Sequence, residues 1–100
     1  MSVTMSVILS HAALGDIKGL PRVDPGQVKD MVSRYLANHD PFNSGKPSGR
    51  RGGSVVIVCL WANCYVLLEV VAKAKKKFEI YVEGVAKREA QLKTIARRRL

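Results

Sequence analysis

The chain has 100 residues, enough for one small domain with little core, and its hydrophobic content of 47% is ordinary for a folded protein. The formal net charge of +9 points to phosphate, on anionic lipid or on nucleic acid, or to an acidic protein surface. A chain this short rarely builds a catalytic pocket alone, so an enzyme is not expected.

Residues 1–20, MSVTMSVILSHAALGDIKGL, hold an apolar patch of Val3, Val7, Ile8 and Leu9. They have neither the basic n-region of a secretory signal nor the arginines of a transit peptide. Gly15 and Gly19 interrupt helix. The segment reads as a short helix or an extended stretch docked on a partner.

Residues 21–40 form the next unit. Asp24-Pro25 has the form of a helix start, with Asp as N-cap and Pro at the first helical position. Val28, Met31, Val32, Tyr35 and Leu36 then recur as one helical stripe, which predicts an amphipathic helix over 25–37. It ends near Asn38-His39-Asp40-Pro41. A stripe of this width suits a membrane surface, a neighbouring subunit or a small core equally well.

Residues 41–53, PFNSGKPSGRRGG, read as a linker without regular structure. Gly45-Lys46-Pro47 departs from the phosphate-loop pattern at its third position. Arg50 and Arg51 close the linker just before the longest apolar run.

That run, SVVIVCLWANCYVLLEVVA over residues 54–72, is expected to be a transmembrane helix. From Gly52 to Ala72 a helix measures roughly 31 Å, close to the thickness of a bilayer core. Its Val, Ile and Leu residues favour insertion by about 3 to 6 kcal/mol, and Asn63 and Glu69 remove much of that. The helix is therefore expected to pack among others. Cys59, Asn63, Val66 and Val70 share one helical face, and Trp61, Tyr65 and Leu68 another. The packing candidates are Cys59, Trp61, Asn63, Tyr65 and Glu69, with Glu69 paired to Lys73 one turn on. Cys59 and Cys64 lie about 140° apart around such a helix, too far to bridge, and read as buried thiols. The competing reading is a soluble core segment. Valine enrichment allows a strand over Val55–Leu60, but no second strand to pair with it is evident.

Lys73, Lys75, Lys76 and Lys77 follow at once. With Arg50 and Arg51 they are the candidates for contact with lipid head groups or an acidic partner. The basic excess over residues 73–100 places the C-terminus on the matrix or cytoplasmic side. Phe78, Tyr81, Val82, Val85, Leu92, Ile95 and Ala96 recur at helical spacings, and Glu83–Lys87 and Glu89–Lys93 are i,i+4 pairs, so a long basic helical extension is expected. His11 and His39 stand apart from each other and from both cysteines. No catalytic residue, metal site or cofactor is expected.

The expected fold class is all-α: a single-pass transmembrane helix, a short N-terminal amphipathic helix and a long basic C-terminal extension. This layout resembles that of small accessory subunits of respiratory or ATP-synthase complexes. It implies a non-catalytic structural subunit in the mitochondrial inner membrane, with other membrane subunits and anionic lipids as partners. The alternative is a soluble basic RNA-binding or ribosomal protein, with residues 54–72 as core and nucleic acid as partner.

Overall fold

Residues 54–72 do not form a helix. In the computed structural model, which describes residues 4–38 and 48–100, they are divided between two antiparallel strands that continue to Ala74. The elements are β1 (Thr4–Leu9), α1 (His11–Lys18), α2 (Pro25–Asn38), β2 (Ser54–Trp61), β3 (Cys64–Ala74), β4 (Lys77–Ala86) and α3 (Glu89–Arg99). The sheet order is β1-β4-β3-β2, with β1 parallel to β4 and the other pairs antiparallel. The all-α expectation is thus replaced by a mixed four-stranded sheet with helices on both faces. Among the described residues no helix is long and apolar enough to cross a membrane. The single-pass span goes, and with it the inner-membrane placement and the matrix or cytoplasmic C-terminus inferred from it.

Ala62 and Asn63 make the turn that divides the run, and Asn63 takes a positive φ of 63°. Asparagine tolerates that left-handed conformation better than most residues. β3 reads as continuous hydrophobic sequence because it lies inside the sheet and is buried on both faces. Val66, Leu68 and Val70 face α1 and α2, while Leu67 faces α3. The basic extension is broken as well. It comprises the end of β3, a turn at Lys75-Lys76, β4, and only then α3. In β4, Ile80 and Val82 alternate with Glu79, Tyr81 and Glu83, the period of a strand.

Helix α2 covers the segment where the apolar stripe predicts helix, and Asp24 Oδ1 accepts from the Gln27 N–H at 3.1 Å. Val28, Val32 and Leu36 are buried against Val7, Val66, Leu68, Ile80 and Val82. The N-terminal 20 residues supply β1 and α1, and Ser10 caps α1 by accepting from the Ala13 N–H at 3.0 Å. The stop expected at His39 to Pro41 and residues 41–47 of the expected linker lie outside the described residues.

On the other face, α3 packs Leu92 on Leu67 and Ala86, with Val55, Ile57, Tyr65 and Ile95 around them. Gly84 permits this approach. A Cβ there would stand 3.2 Å from Ile95 and 3.3 Å from Leu92. α3 covers only part of this face, and the charged residues described next occupy the rest.

Candidate functional site: two buried carboxylates beneath Arg51

Glu69 lies in the middle of β3 on the α3 side of the sheet and is fully buried. Residues 48–53, not α3, cover it. Glu69 Oε2 accepts the backbone N–H of Arg51 at 2.7 Å and that of Gly53 at 2.9 Å. The loop is closed by the Gly49 N–H on the Gly53 carbonyl at 2.9 Å and the Gly52 N–H on the Gly49 carbonyl at 3.0 Å. Glycine is required for the close approach. A Cβ on Gly53 would come within 2.9 Å of Glu69 Cγ, and one on Gly49 would overlap the Glu69 carboxylate.

A shift of register between Leu67 and Leu68 leaves Glu83 as an extra residue on β4. Its carboxylate is buried and meets the Arg51 guanidinium at 2.7 Å. The same nitrogen, Nη1, lies 3.5 Å from Glu69 Oε1, and the guanidinium carbon sits 3.9 Å from the centroid of the Tyr81 ring. Among the described residues Glu69 Oε1 has no hydrogen-bond donor, and it faces the Arg51 charge that Glu83 shares. Partial desolvation works against the Arg51 cation, but Glu83, Glu69 and Tyr81 together outweigh it, so the pKa of Arg51 is raised.

Two further ion pairs flank the cluster. Arg99, on the last turn of α3, holds Asp16 of α1 through Nη1 at 2.9 Å and Nη2 at 3.2 Å, and donates to the Glu83 carbonyl at 2.9 Å. Asp16 also accepts the Val85 N–H at 3.1 Å, on the β4 edge beyond the end of β1. On the other side, Glu79 accepts from the Tyr81 hydroxyl at 2.7 Å and pairs with Lys73 at 3.3 Å. The Tyr81 hydroxyl and then Lys73 hold the Glu79 carboxyl below its usual range, and the Glu79 acceptor raises the pKa of Tyr81.

Strand geometry revises each residue singled out in the sequence. Glu69 is not an interfacial carboxylate paired with Lys73. Four residues apart on a strand is roughly 13 Å, so Lys73 reaches Glu79 across to β4 instead. Glu83 likewise pairs with Arg51 and not Lys87, whereas Glu89–Lys93, inside α3, forms at 3.9 Å. The packing candidates do not line one helix. Cys59 and Tyr65 are cross-strand neighbours on β2 and β3, Trp61 packs partly buried at the end of β2, and Asn63 is an exposed turn residue. Both thiols are free, Cys59 exposed and Cys64 buried, and burial, with Cys59 beside it, pushes Cys64 up to about 11. Arg50 is exposed, Lys75 and Lys76 form the β3–β4 turn, and Lys77 opens β4.

Arg51, Glu69 and Lys73 thus enter one charged network with Glu83 and Tyr81, which the sequence placed in a helical pair and an apolar stripe, and with Glu79, Asp16 and Arg99, which it did not single out. The available signal was the alternation of β4, which puts Glu79 and Tyr81 on one side. Among the described residues no three His, Cys, Asp or Glu side chains are grouped as metal ligands are.

These features define a small α/β protein with a charge network on one sheet face, in which three cations hold four carboxylates. Comparison with protein families, with characterised proteins and with solved structures returned no match.

Proposed function

We propose that this protein is a non-catalytic binding protein for RNA. The supporting observation is how its charges are sorted. Every described acidic residue except Asp24 faces a lysine or arginine: Asp16 with Arg99, Asp30 with Arg34, Glu69 and Glu83 with Arg51, Glu79 with Lys73, and Glu89 with Lys93. Asp24 caps α2. Lys75, Lys77, Lys87, Arg88, Arg97 and Arg98 are exposed and, among the described residues, take part in no ion pair. The acids are largely occupied within the fold, and the excess of cations faces outward. Such a surface attracts a phosphate backbone and releases its counterions. The structural-subunit role expected from the sequence was to act through a membrane span, and among the described residues no helix is long and apolar enough to supply one.

The test is fluorescence anisotropy with a short labelled RNA across about 50 to 200 mM salt. Binding should weaken steeply as salt rises. Replacing Lys75 and Lys77 together by Glu, or Arg97 and Arg98 together by Glu, should lower affinity at least tenfold and flatten the salt slope by roughly one per lost phosphate contact. Affinity unchanged in both double variants, or binding to anionic vesicles without binding to RNA, would sink this reading.

A further inference from the structure

We infer that the outer plane of the Arg51 guanidinium is a stacking platform for an unpaired base, so that the RNA bound is single-stranded at this position. The inference rests on the RNA reading above and names the part of the nucleotide that this site takes. Three contacts hold the guanidinium still. Its central carbon sits over the Tyr81 ring, 3.9 Å from the centroid, and Nη1 meets Glu83 at 2.7 Å and Glu69 at 3.5 Å. The Arg51 backbone is fixed as well, through its N–H on Glu69. The side chain nevertheless remains 38% exposed. A guanidinium held in this way offers a preorganised plane, and nucleobases stack on arginine planes as they do on aromatic rings.

Local charge selects a base over a phosphate here. A phosphate placed on Arg51 would meet the carboxylates of Glu69, Glu83 and Glu79 close by, whereas a neutral base would not. Ile8, 37% exposed, is the register neighbour of Tyr81 on the same sheet face and extends the apolar surface beside the stack. Phosphates then belong to the rim. Exposed Lys77 lies farther down β4, and Arg97 and Arg98 lie on the α3 turn whose Arg99 touches Glu83. A stacking plane over a cluster with one more carboxylate than cation, ringed by exposed cations, offers its face to a base and leaves the phosphates to the rim. Bases within a duplex are already stacked on one another and do not present their faces.

The experiment compares a labelled single-stranded RNA, the same strand with abasic positions, and an RNA duplex, all against the unaltered protein. Base-bearing single strand should bind about tenfold more tightly than the abasic strand. The duplex should compete more weakly than the single strand at equal phosphate concentration. Arg51→Lys keeps the charge and removes the plane. It should lose most of the preference for bases with the salt slope unchanged, in protein shown to be folded by its thermal transition. Equal affinity for base-bearing and abasic strands overturns the stacking site and leaves the RNA reading standing. Absence of binding to any RNA at low salt overturns both.

Discussion

The two faces of the sheet solve burial in different ways. Beneath α1 and α2, Val7, Val66, Leu68, Val70, Ile80 and Val82 meet helix residues in a continuous apolar layer. On the opposite face, apolar contact is confined to the α3 half, around Leu67 and Leu92, and the rest is the Arg51–Glu69–Glu83 network under a glycine-rich loop. An apolar layer tolerates no hole, because its stability scales with packed volume. A buried ion network tolerates no missing partner, because the charge left behind is unsolvated. The first face therefore serves folding. The second binds the 48–53 loop to the sheet and fixes Arg51 over Tyr81.

The apolar face should be the more sensitive to truncation. Leu68→Ala is expected to destabilise the protein by about 3 to 5 kcal/mol, read by urea denaturation. A loss below about 1 kcal/mol would mean that this layer is not the closed core described here.

The network should fail next and in its own manner. Arg51→Ala leaves two buried carboxylates uncompensated and should cost about 3 kcal/mol. Replacing Arg51, Glu69 and Glu83 together by Met, Leu and Leu should restore stability to within about 1 kcal/mol of the parent, because apolar residues of similar volume substitute for a buried ion network. A triple variant as unstable as the single one would show that Glu69 is needed for its backbone hydrogen bonds to the loop more than for its charge.

The loop itself supplies a finer probe. Gly53→Ala forces a methyl group against Glu69 and the Val70 backbone and should cost about 1 to 3 kcal/mol. Hydrogen exchange should show faster opening of the Arg51 amide in this variant, since that amide is held by Glu69.

The smallest expected effect concerns pH. Glu79 has a folded pKa held down by Tyr81 and Lys73. It therefore contributes stability above the unfolded carboxyl value, and that contribution disappears as pH falls through the depressed folded value. Tyr81→Phe removes the first of these partners, so the Glu79 titration should move upward. Carboxyl chemical shifts followed by NMR between about pH 5 and 2 would report it. An unmoved Glu79 titration in this variant would assign the depression to Lys73.

Much of the site was illegible in the sequence for a definite reason. Glu69 and Lys73 are four apart, which suggests an ion pair only if the backbone is helical. On strands, partners are chosen by register across β3 and β4. Arg51 looked like a head-group contact because it precedes an apolar run. Its actual partners, Glu83 and Tyr81, are 32 and 30 residues further along the chain. Arg99 and Asp16 come from opposite ends of the chain and meet only because α1 and α3 both reach the β4 edge.

Local signals were sufficient where the decision was local. Asp24, Pro25 and the stripe from Val28 to Leu36 determine helix α2, since a cap and a 3.6-residue period act within a few turns. The excess of basic residues is likewise a property of composition. The tertiary structure alone decided that residues 54–74 are strands. An apolar, valine-rich run satisfies a membrane helix or a central strand equally well. The choice was made by β4, which supplies the hydrogen-bonding partners that β3 needs on the side away from β2 and is itself paired on its far side by β1 from the start of the chain.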